Sequence, residues 1–176
     1  MNMDSIKILT IITATFVLNL FDASNCRADE KATETMLRTE SLGGLRLGLP
    51  EKDVLKLLGP PTKRSALVIQ EADGNYVQDW HYPQKGIDLQ MSAGGKKSGA
   101  KTVASITALA PCMFATKKGI KIGDAESAAR KAYAAYADRE SGNEPGVFVV
   151  GSIYGGIIFN FTAGKVSKIF FGAAAE

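Results

Sequence analysis

The sequence predicts an α+β fold: two helix-plus-antiparallel-strand repeats, with the helices packed on one face of a meandering antiparallel sheet. Three observations carry this expectation. Gly44-Leu45-Arg46-Leu47-Gly48-Leu49-Pro50-Glu51 and Gly119-Ile120-Lys121-Ile122-Gly123-Asp124-Ala125-Glu126 share one pattern: Gly, apolar, basic, apolar, Gly, two residues, Glu. Each is followed by helical periodicity and then by strand-like runs. Finally, Gly86-Ile87-Asp88-Leu89-Gln90-Met91-Ser92-Ala93-Gly94 aligns with Gly156-Ile157-Ile158-Phe159-Asn160-Phe161-Thr162-Ala163-Gly164, preserving the apolar positions.

The elements follow in order. Pro50 suits a first helical turn, and Glu51 and Asp53 favour the positive end of the helix dipole. Val54, Leu57 and Leu58 fall at i, i+3 and i+4, and Gly59-Pro60-Pro61 stops the helix. Ser65 to Glu71 reads as a strand, and Asp73-Gly74 as a hairpin turn. Tyr76 to Tyr82 alternates, with Trp80 and Tyr82 on one side and Asp79 and His81 on the other. Ile87, Leu89 and Met91 alternate with Asp88, Gln90 and Ser92, the mark of a half-buried strand. A glycine- and lysine-rich loop spans Gly94 to Lys101, and Thr102 to Leu109 is the next strand. In the second unit, Ala125, Ala128, Ala129, Ala132, Tyr133 and Tyr136 define one helix face, small enough to pack closely on a sheet. Three strands follow, Val147 to Ser152, Ile157 to Thr162 and Val166 to Phe171.

The N-terminal segment has the pattern of a targeting signal. Lys7 precedes an apolar run from Ile8 to Phe21, short for a membrane span and right for a signal-peptide core. Small residues place cleavage near Ala28, which predicts a periplasmic or secreted protein; the alternative is a lipid anchor at Cys26. The domain reading is a signal peptide at 1–28, a flexible leader or frayed helix at 29–42, repeat 1 at 43–111 and repeat 2 at 112–176. Cleavage removes two charges of each sign, so the net charge of +3 is unchanged. That is too weakly basic to indicate a nucleic-acid partner. Cys112 is then the one remaining thiol, so no internal disulfide is expected, and beside Met113 and Phe114 it reads as a small buried residue.

Four features resemble two known groups: the Gly-apolar-x-apolar-Gly lead into a short helix, the stop Leu58-Gly59-Pro60-Pro61, the strand Trp80-His81-Tyr82 and a closing hairpin. One group is the small outer-membrane lipoprotein of the barrel-assembly machinery. The other is the β-lactamase inhibitory proteins, which are tandem repeats of a similar unit. The resemblance covers roughly residues 43 to 172. It implies an exported, non-catalytic module of the bacterial cell envelope that works by contacting other proteins. It transfers no contact residues.

Chemical signatures are sparse. The loop from Gly94 to Thr102 nearly spells a phosphate-binding loop, but Ala100 separates Gly99 from Lys101 and a strand follows where a helix is needed. Its lysines suit at most weak contact with an anionic membrane surface. His81 is the single histidine, with Asp79 two residues away and no nucleophile motif nearby, so no catalytic residues are assigned. One histidine and one mature cysteine do not suffice for a zinc site, and no cofactor or metal is expected. The sheet face turned away from the helices is the candidate binding surface for another envelope or secreted protein. Its expected members are Asp79, His81, Asp88, Gln90, Ile158, Asn160, Lys168 and Phe170. The alternative function is an envelope protein that binds a small molecule or lipid between helices and sheet.

Overall fold

A computed structural model of the chain describes residues 31–138 and 144–174. The expected signal segment at 1–28 lies outside these residues. By its contacts the chain divides into two units, Met1–Met36 and Leu37–Glu176. Residues 31–36, the described part of the first unit, are helical, and the helix α1 runs over residues 31–39.

The second unit is α+β. It contains α2 (Glu51–Leu58) and α3 (Glu126–Tyr133). Its eight strands are β1 (Lys63–Arg64), β2 (Val68–Ile69), β3 (Tyr76–Tyr82), β4 (Ile87–Ser92), β5 (Thr102–Leu109), β6 (Val147–Val150), β7 (Gly156–Thr162) and β8 (Lys165–Gly172). All pairings are antiparallel, in the order β1-β3-β4-β5-β8-β7-β6, with β2 also on β3.

Alternation along each strand becomes two cross-strand rows on one face. Trp80, Leu89, Ile106, Phe171, Ile157 and Val150 are successive register partners from β3 to β6. Tyr82, Ile87, Ala108, Ile169, Phe159 and Phe148 form the next row. All twelve are buried. Burying the larger of these side chains contributes about 1.5–3 kcal/mol apiece, so the two rows are a main source of the sheet's apolar stabilisation.

Both helices sit on this face. From α3, Tyr133 packs its ring 5.3 Å from that of Phe159. Gly59, directly after α2, accepts a 3.1 Å hydrogen bond from the Tyr82 hydroxyl. Burial pushes the Tyr82 phenol up to about 12, against a smaller opposing pull from Arg64, and pushes the Tyr133 phenol up as well. The amphipathic pattern predicted for α3 extends to Tyr136, but the α-helix ends at Tyr133 and a 3-10 turn, Ala134–Tyr136, completes it.

Each helix is entered the same way. The Gly48 amide donates to Val103 and the Glu51 amide to Lys101, while the Val103 amide donates back to Leu49. In the second entry Gly123 donates to Val166, Glu126 to Gly164, and Val166 back to Asp124. Gly48 and Gly123 take φ of 74° and 91°. A Cβ added at either would meet nothing within 4 Å. These two glycines are therefore required by backbone conformation and not by close helix–sheet packing.

The strand expected over Ser65 to Glu71 is broken. Only Lys63–Arg64 and Val68–Ile69 pair with β3. Ser65 between them spends its hydroxyl on the Asp79 amide at 2.9 Å and on the Ala66 carbonyl. This local side-chain bonding competes with a regular ladder.

The expected leader ends in buried structure. Glu40 is 4% exposed and Leu42 is fully buried. Glu40 Oε1 accepts from the amides of Ser41 and Lys117 at 3.0 and 2.7 Å, and Oε2 accepts from the Tyr133 hydroxyl at 3.0 Å. Gly43 donates to Ala115, so the segment is held by backbone bonds as well.

Candidate protein-binding face

The face opposite the helices is built by the alternate residues of the same strands. Its central row runs through seven strands: Lys63, His81, Asp88, Thr107, Phe170, Ile158 and Val149 are successive register partners. Two shorter rows flank it. One is Asp79, Gln90 and Ser105; the other is Leu109, Lys168, Asn160 and Val147. All eight residues expected on this face lie in these three rows. Asp79 is exposed and the other seven are half-buried.

The register decides which of them meet. His81 sits opposite Asp88, and its Nδ1 lies 2.8 Å from Asp88 Oδ1. Asp79, the neighbour along the strand that sequence spacing suggested, is instead opposite Gln90. Ile158 faces Phe170 and Asn160 faces Lys168. The Lys168 ammonium lies 5.9 Å from the centre of the Phe170 ring, within cation–π range. The two groups are thus separate: an imidazole–carboxylate cluster on β3 and β4, and an apolar and lysine cluster on β7 and β8.

Lys63, Leu109, Val147 and Val149 belong to the same face and were not foreseen. Leu109 and Val147 lie at the ends of predicted strands, and their alternation with neighbours was readable there. Lys63 precedes the run taken for a strand, so only the observed pairing of β1 with β3 places it.

Among the described residues, His81 makes no hydrogen bond to a hydroxyl or thiol; its side-chain partner is Asp88. Cys112 is buried and free, and burial pushes its thiol pKa up, which holds it in the unreactive protonated form. No three His, Cys, Asp or Glu side chains among the described residues gather as a metal site would need. No helix among them is long and apolar enough to cross a membrane. On the side where the alternative function would place a ligand, Trp80 and Phe159 of the sheet and Tyr133 of α3 are each fully buried.

Compared with family models, characterised proteins and solved structures, the chain has no significant match.

Proposed function

We propose that the chain is an exported, non-enzymatic protein-binding module of the bacterial cell envelope, which engages another envelope or secreted protein through the sheet face opposite its helices. The observation that carries this reading is the central row from Lys63 to Val149. It passes across seven strands and offers polar side chains at one end and Phe170 and Ile158 towards the other, with Val149 at its limit buried. Mixed polar and apolar surface around an aromatic anchor is the usual make-up of protein interfaces. The motif resemblance to the barrel-assembly lipoprotein and the β-lactamase inhibitory proteins points the same way.

The module is also proposed to be a tandem repeat. The matched hydrogen bonds of the two helix entries support this. So do the register shifts, one between Gln90 and Met91 and one between Asn160 and Phe161, at positions the sequence alignment already equates. The strand order supports it too, since β3-β4-β5 is mirrored by β8-β7-β6 across the β5–β8 pair.

Capture from envelope extract on the immobilised protein tests the function. The wild type is expected to retain a partner that Phe170→Asp loses and His81→Ala retains less well, with both variants folded by circular dichroism. Undiminished capture by both variants would remove this face as the binding site.

A further inference from the structure

The two ends of the sheet face differ enough in charge to specify the chemistry of what it binds. At one end, Asp79 is exposed, and its carboxylate has no hydrogen-bond or ion-pair partner among the described residues. Asp88 is close by on the neighbouring strand, linked through one oxygen to His81. Lys63, in the same row, lies at the sheet's outer edge beyond His81. At the other end Phe170 and Ile158 face one another, with Leu109, 41% exposed, and its register partner Lys168 one row away on β5 and β8. Thr107 alone separates the two ends along the row.

Resting on the protein-binding reading above, we infer that the occupant of this face is a protein surface with a cationic side chain and an aromatic or aliphatic side chain set about 14 Å apart, three strand spacings at ~4.8 Å each. The cation, an arginine or lysine, lies over Asp79 and Asp88. The apolar side chain packs on Phe170 and Ile158. Charge complementarity selects the cation's position: Asp79 and Asp88 attract it on β3 and β4, whereas Lys168 gives the apolar end a positive charge. Across extended chain at about 3.3 Å per residue the 14 Å interval is four residues, which places both side chains on the same side of the partner strand.

The probe is a phage-displayed library of a small scaffold with one randomised loop, selected on the immobilised full-length protein. Binders that use the face are identified by their loss on Phe170→Asp. Among these, arginine or lysine together with an aromatic or aliphatic residue is expected to be enriched. Their affinity is expected to fall about tenfold for the Asp79→Asn/Asp88→Asn double variant, mainly through slower association, and to weaken with rising salt. Asparagine at 88 keeps the shape and the hydrogen bond to His81, and an unchanged thermal midpoint confirms the fold. If face binders are indifferent to the double variant, or are enriched in acidic residues, the cation inference is overturned while the protein-binding reading stands. If no selected binder is sensitive to Phe170→Asp, both fail.

Discussion

Glu40 is the residue whose role is least visible from its neighbours. It closes a stretch that reads as a polar leader, yet its carboxylate is buried and receives two backbone amides and the Tyr133 hydroxyl, a partner 93 residues away. Nothing in local spacing marks one glutamate of a charged run for burial; only the tertiary placement of Lys117 and Tyr133 does so. Tyr133→Phe keeps the ring contact with Phe159 but leaves Glu40 Oε2 without its donor. The expected cost is about 1–3 kcal/mol, read as a lower urea midpoint with unchanged slope. The tyrosines also set an alkaline limit. The Tyr82 phenol ionises near 12 in the folded chain against an ordinary value of 10.0, so the folded state holds that proton more tightly. Its contribution to stability is complete below pH 10 and is lost as pH rises from 10 to 12. Urea unfolding at a series of alkaline pH values is expected to show a plateau and then a decline over that interval, and Tyr82→Phe is expected to make the decline shallower, with Tyr133 still contributing to it.

Among elements, the legible ones are those with a long alternating pattern. Tyr76–Tyr82 and Thr102–Leu109 coincide with the predicted strands, because a strand buried on one face imprints a period of two. The 63–69 edge was misjudged because both of its short strands are exposed and so imprint no burial pattern. Ser65 makes the break that separates them. The helix entries were visible as a repeated glycine pattern, but the reason for the glycines was not, since a sequence does not distinguish a positive φ from a close contact. The two causes have different signatures. Gly48→Ala and Gly123→Ala are each expected to destabilise by about 1–2 kcal/mol from the left-handed backbone alone. Gly95→Ala, whose added Cβ also meets nothing and whose φ lies outside the left-handed region, is expected to leave the thermal midpoint unchanged within ~0.5 kcal/mol.

For the whole molecule, the strand order and the composition of the outer face separate what alternation can and cannot say. Alternation assigned each of the eight expected residues to the outer face, because one buried face fixes the other. It could not assign neighbours, since register across strands is set by turns and bulges distributed over the chain. That is why His81 finds Asp88 and not Asp79. Joining the β3-β4-β5 meander to the β6-β7-β8 meander is a single pairing, from Ile106 with Phe171 to Leu109 with Lys168. Each meander assembles from strands adjacent in the chain, whereas this seam must bring together β5 and β8, which α3, β6 and β7 separate in the chain. Loop closure makes such non-local pairing the slow event in folding. Stopped-flow measurements are expected to show Ile106→Val slowing refolding, and Val150→Ala, at the far edge of the second meander, hastening unfolding instead. The seam would then act as the kinetic gate of the molecule: two locally formed meanders wait on one long-range encounter, and only after it does a continuous outer surface exist.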